Sequence, residues 1–167
     1  VGSEMCIRDS TSVQKTRRAD LTTISGLSAT AYKYWGGALA SNGKIYCAPS
    51  FGGVNNSLVI DTNTNTTTTI AGTGSGYTGA VYGRNDKIYL IPFDTPTSLI
   101  RVIDPTTNTI VTSISGLPTG IYKSEGAVLA PNGCIYCPPF AINYVPIIRT
   151  QLPVLPEWPL QAYFNKL

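Results

Sequence analysis

The chain's capacity for chemistry is limited by what it lacks: there is no histidine, and the remaining reactive groups are 4 cysteines and 9 carboxylates. Without histidine, the usual neutral-pH acid or base, the commonest zinc ligand and a Ser-His-Asp triad are all excluded within this chain. Asp61 and Asp104 recur in matching contexts, which invites a paired-carboxylate reading. Asp104-Pro105-Thr106, however, is what a type I turn asks for, with Asp accepting backbone N–H groups and Pro supplying a fixed φ. Carboxylates in successive repeats would also lie beyond the ~5–9.5 Å that glycosidic acid–base pairs need. Cys134-Ile-Tyr-Cys137 has a C-x-x-C spacing, but positions i and i+3 of a strand face opposite sides, so the thiols diverge. With no second pair, these cysteines read as small buried hydrophobes. Gly72-Thr-Gly-Ser-Gly76 lacks the Gly-Lys-Ser/Thr ending and the helix of a phosphate cradle, and reads as a loop. No catalytic residue, metal site or cofactor is implied.

One group of residues does point to binding. Tyr32, Lys33, Tyr34 and Trp35 precede one apolar run, Tyr77 precedes a second, and Tyr122, Lys123 and Glu125 precede a third. Amphipathic aromatics beside lysine suit stacking on a carbohydrate ring or contact with a protein ligand. Lys33, Tyr34, Trp35, Tyr77, Tyr122, Lys123 and Glu125 are therefore the candidate ligand-binding set. The competing role is packing between neighbouring sheets, with polar tips in water.

The elements that must position this group are strands. The chain has 167 residues, of which 13% are charged against a usual ~25%, while Thr reaches 21 and Gly 16. Such a composition favours strands and turns, and no stretch sustains the i, i+3, i+4 spacing of a helix. The net charge of +3 is too weak to argue for nucleic acid. Lys15, Arg17 and Arg18 read as a solvated terminal run. No window approaches ~18 continuous apolar residues, so no membrane-spanning helix is expected.

Three hairpin segments align at Gly36–Pro49, Gly79–Pro92 and Gly126–Pro139, with Tyr46, Tyr89 and Tyr136 recurring at spacings of 43 and 47. Asn42-Gly43 and Asn132-Gly133 predict type I′ turns, and Asn85-Asp86 fills the same place. Leu58–Ile60 and Val102-Ile103 predict third strands, and Thr66–Thr69 an outer fourth. Thr22–Gly26, Thr69–Gly72 and Ser113–Leu117 match one another and read as the segments that close each unit. Self-similarity at 40–50 residues built from four short strands is a mark of propeller blades.

The aligned pattern, Gly-Gly-x-Leu-Ala-x-Asn-Gly-Lys-Ile-Tyr followed by Val-Ile-Asp-Pro-x-Thr-x-Thr, resembles the repeats of kelch-like and surface-antigen-like β-propellers over residues 22–150. The resemblance implies an all-β fold: a partial β-propeller of about three four-stranded antiparallel blades, not closed, since closed rings have about 4–8 blades. It departs from the pattern in the last repeat, where Arg149 stands in place of Asp61 and Asp104 and no fourth strand follows. Val1–Ser10 resembles translated sequencing-adapter DNA. Residues 1–20 are thus expected to be non-native or disordered, 21–150 to form blades, and 151–167 to form a tail. The expected partners are a protein or carbohydrate ligand and the upstream blades of the same chain, with no nucleic acid and no membrane span. The resemblance suggests a non-catalytic binding or structural module, with virion- or cell-surface attachment as its setting. The competing class is a piece of a propeller lyase or hydrolase whose catalytic residues lie in upstream blades.

Overall fold

Each repeat begins with a hairpin whose turn ends on a residue in the left-handed region: Gly43 at φ +75°, Asp86 at +56° and Gly133 at +78°. Asn42, Asn85 and Asn132 keep ordinary negative φ, so these are not the type I′ turns the Asn-Gly pairs predict. A backbone bond from Gly43 N to Ala40 O (3.0 Å), with Ala40 N donating to Lys44 O (2.9 Å), makes a type I turn closed by one left-handed residue. The asparagine serves another purpose. Its Oδ1 accepts from Lys44 N in the first repeat and Cys134 N in the third, both at 3.0 Å. Its Nδ2 donates to the hydroxyl of the recurring tyrosine: Tyr46 at 3.1 Å, Tyr89 and Tyr136 at 2.9 Å.

The computed structural model describes residues 21–94, 99–119 and 123–150. The expectations for residues 1–20, the 151–167 tail and Tyr122 lie outside them. The strands are β1 (Tyr34–Leu39), β2 (Lys44–Pro49), β3 (Ser57–Asp61), β4 (Thr66–Ile70), β5 (Tyr77–Tyr82), β6 (Ile88–Pro92), β7 (Ile100–Asp104), β8 (Thr109–Ile114), β9 (Val128–Leu129), β10 (Cys134–Tyr136) and β11 (Ile147–Arg149). They form three antiparallel sheets in the orders β1-β2-β3-β4, β5-β6-β7-β8 and β11-β10-β9, none of them closed. Among the described residues there is no helix, and hence none long and apolar enough to cross a membrane. The third sheet has three strands rather than four. Thr22–Gly26 forms no strand and is exposed throughout.

Alternation along the strands explains how the sheets meet. In β6, Ile88 and Leu90 point one way and Tyr89 and Ile91 the other, and the whole strand is buried. Ile88, Leu90 and Ile103 join Tyr46, Ala48 and Val59 of the first sheet in one core. Tyr89, Ile91 and Val102 join Ile135, Cys137 and Ile148 of the third in another. The first strands line up along this stack, β1 against β5 and β5 against β9. The approach of β1 to β5 is close: a Cβ on Gly36 (φ +68°) would sit 3.4 Å from the Gly79 Cα.

Polar links reinforce each junction. The Tyr46 hydroxyl bonds to Pro105 O (3.1 Å) and Asn108 Oδ1 (2.6 Å) in the β7–β8 turn of the next sheet. Thr78 Oγ1 donates to Ser124 O (3.1 Å) and accepts from Gly126 N (3.0 Å), tying the second repeat to the third.

Candidate functional site

The second strand of each sheet leads into one repeated backbone bond. Ser50 N donates to Lys33 O (2.9 Å), Phe93 N to Gly76 O (2.9 Å) and Phe140 N to Lys123 O (3.0 Å). These bonds make Ser50, Phe93 and Phe140 equivalent positions at one end of the three sheets. The aromatic rings there touch in series across all three repeats. Centroids are 6.0 Å apart for Trp35–Phe51, 5.8 Å for Phe51–Phe93 and 5.5 Å for Phe93–Phe140, and Trp35 also meets Phe93 at 6.2 Å. All four contacts are edge-on or tilted, as ring quadrupoles prefer. Phe93 is buried in the middle of the row; Trp35, Phe51 and Phe140 are exposed.

Trp35 owes its direction to a bulge. The β1–β2 register shifts between Tyr34 and Gly37, and the β5–β6 register shifts at the matching place between Tyr77 and Gly79. Bulges re-aim side chains, and here one sets Trp35 at the sheet end beside Phe51. Tyr32, Tyr34, Trp35, Ser50 and Phe51 line an open pocket of about 560 Å³. Tyr34 is half-buried, and its hydroxyl is held above the ordinary tyrosine range by burial first and by Cys47 second.

The remaining candidates fall elsewhere. Lys33 donates its ammonium to the Ser28 carbonyl. Tyr77 lies in the core between the first two sheets, its hydroxyl donating to Thr73 O (3.1 Å), and burial pushes it upward in pKa. Lys123 is buried too; desolvation lowers its pKa, and the nearby Asp94 charge opposes that. Glu125 is exposed, with its backbone N–H donating to Pro138 O at 3.3 Å. The structure therefore brings Tyr34 and Trp35 together and places Tyr77 and Lys123 inside the stack. Ser50, Phe51, Phe93 and Phe140 went unnoticed in the sequence. The available signal was an aromatic one or two residues after the proline that follows each recurring tyrosine.

The carboxylates belong to turns. Asp61 Oδ1 accepts from Asn63 N (3.0 Å) and Thr64 N (3.3 Å), and Asp104 Oδ1 from Thr106 N (2.8 Å). Lys44 and Lys87 pair with them at 3.5 and 3.3 Å. These backbone bonds, first of all, hold both carboxyls below the ordinary range. Among the described residues, no group of three His, Cys, Asp or Glu side chains could hold a metal ion.

No family model matches the chain. No curated protein matches it either. Among solved structures it is similar to Kuenenia stuttgartiensis Hydrazine Synthase, with a TM-score of 0.55 and 17% identity over 68% of this chain and 33% of that one. The chain spans one third of that structure, and at this identity the likeness concerns the fold alone.

Proposed function

We propose that the chain is an arc of a β-propeller and serves as a non-catalytic binding module, its blades presenting a row of aromatic side chains at one end. The observation that carries this reading is the ring series from Trp35 to Phe140, supplied by the ends of β1, β2, β6 and β10 in three successive repeats. Enclosed catalysis finds little support, because the Asp61 and Asp104 carboxylates are committed to their turns.

The arc itself draws support from register. Ile45 and Ile60 pair across β2–β3 as Ile88 and Ile103 pair across β6–β7. The middle sheet buries its pair against the first sheet, while the first sheet leaves its own only partly covered, with Leu39 beside them 61% exposed. A further blade of the same kind, from upstream in the chain, fits that face.

Cys47 lies on this face and reports on it. Alkylation of Cys47 should be measurable in the 167-residue chain and slow several-fold when the reading frame is extended upstream. Leu39→Asp in the extended protein should restore the rate. Equal Cys47 reactivity in the short and extended proteins would overturn the arc.

A further inference from the structure

We infer that the pocket formed by Tyr32, Tyr34, Trp35, Ser50 and Phe51 is a binding subsite for a neutral sugar ring, stacked on the Trp35 indole and hydrogen-bonded by the Ser50 hydroxyl. This deepens the ligand-binding half of the function proposed above and rests on that half alone.

The pocket exists because the first repeat breaks the pattern of the other two. At the position fixed by the repeated backbone bond, the second and third repeats carry Phe93 and Phe140, and the first carries Ser50. A hydroxymethyl side chain replaces a benzyl one, and Phe51, one residue later, lines the space. Ser50 is only 1% exposed, and its Oγ has no hydrogen-bond partner. An orphaned buried hydroxyl carries a desolvation cost. Of the four orphaned buried side-chain atoms among the described residues, the others being Ser57 Oγ, Arg101 Nε and Ser124 Oγ, only Ser50 Oγ belongs to a residue lining this pocket, where a ligand hydroxyl can bond to it.

The walls are set in advance. Tyr32 sits at φ +52°, a conformation uncommon for a bulky residue and often found at ligand sites. Its carbonyl accepts from Gly52 N at 2.9 Å. A Cβ at Gly52 would run into the Ala31 carbonyl oxygen and the Tyr32 backbone, so glycine there is what lets Tyr32 stand at the rim. Trp35 remains 45% exposed, leaving part of its ring open to solvent.

The chemistry of the lining selects the ligand class. A purely apolar ligand would leave Ser50 unpaired. An anion would find no counter-charge among the lining residues, and a quaternary ammonium ion, which aromatic faces attract, has no group to bond to the Ser50 hydroxyl. A neutral pyranose offers C–H faces to the indole and hydroxyls to Ser50, Tyr32 and Tyr34. A peptide segment is the competing occupant.

The test uses the full chain with Trp158→Phe, which leaves Trp35 as the sole indole, since the sequence holds 2 tryptophans. Titration with cellohexaose, xylohexaose, mannohexaose and chitohexaose, followed by fluorescence and calorimetry, should show at least one binding in the millimolar range or tighter. Ser50→Ala should weaken that binding several-fold while the melting temperature holds or rises. Trp35→Ala, checked for folding by circular dichroism, should weaken it by about tenfold. Any one of three results overturns the inference: none of the four sugars binds, Ser50→Ala binds as tightly as its parent, or proline- and tyrosine-rich peptides shift the Trp35 signal and sugars do not. Loss of sugar binding with Cys47 still shielded in the extended protein would sink this subsite and leave the blade arc standing.

Discussion

The first and middle sheets carry nearly the same β2/β6 and β3/β7 sequences, yet one face of the first is half-open where the middle sheet is sealed. Ile45 is partly buried and Ile88 wholly so; Cys47 is partly buried and Leu90, its counterpart, wholly so. The third sheet confirms the cause. Its Cys137 occupies the Cys47 position, packs against the middle sheet and is 2% exposed, and burial pushes its thiol up to about 11. The repeat thus encodes two apolar faces every time, and exposure records only whether a neighbouring sheet is present.

The comparison breaks most readily at Ile88. Removing its side chain opens a cavity between two sheets, so Ile88→Ala should cost about 3 kcal/mol, within the range for buried Ile-to-Ala changes. Ile45→Ala, on the half-open face, should cost about 1 kcal/mol, since part of the side chain already meets water. Urea unfolding of both variants decides it. Equal losses would mean that the face of the first sheet is as closed as that of the second.

A smaller effect separates the tyrosines. The Tyr46 hydroxyl is buried and reaches two acceptors in the next sheet, whereas for Tyr136 the structure gives one exposed bond, from Asn132. Tyr46→Phe removes the donor to Asn108 Oδ1, while Pro105 O keeps its bond from Asn42 Nδ2 at 2.9 Å, so the change should cost about 1 kcal/mol, with Tyr136→Phe near or below about 0.5 kcal/mol. Matching midpoints in denaturant for the two variants would deny the Tyr46 hydroxyl a part in joining the first and second sheets.

How much of this could be read from residues alone follows the same division between local and distant causes. The strands, the Asp61 and Asp104 turns and the Thr-rich outer strand were legible because period-2 alternation and turn chemistry are local. The hairpin turn type differs from what the pair implies: Asn-Gly suits type I′, but Asn42 is held by its bonds to Lys44 N and the Tyr46 hydroxyl, leaving only Gly43 left-handed. Thr22–Gly26 matched strand-forming segments in sequence and forms none, because a strand needs a partner that alignment does not supply. At the aromatic end, Tyr34 and Trp35 were picked out by type. Ser50 was not, since its importance lies in what its two counterparts are, and that equivalence becomes visible only in the repeated backbone bond. Tyr77, similar in type, lies in the core instead of at the sheet end, a distinction made by the first sheet lying against it.

The smallest expected difference sets the first two sheets against the third in acid. Lys44 faces Asp61 in register and pairs with it, Lys87 pairs with Asp104, and in the third sheet Cys134 faces Arg149, so both partners differ together. Asp61 and Asp104 titrate below the ordinary carboxylate range when folded, chiefly because backbone N–H groups bond to the charged form. Their stabilisation is present above the unfolded value of ~3.9 and is lost as pH falls through the lower folded values. Asparagine keeps an acceptor for Thr106 N but carries no charge at any pH, so Asp104→Asn should be slightly less stable than its parent at neutral pH and should flatten the loss of stability below about pH 4. Arg149→Ala should leave the acid limb as it was, because arginine stays charged throughout. Urea midpoints at pH 7 and pH 3 for the parent and both variants make the measurement. An Asp104→Asn protein that weakens in acid as much as its parent would remove the turn carboxylate from the acid response, and with it this distinction between the sheets.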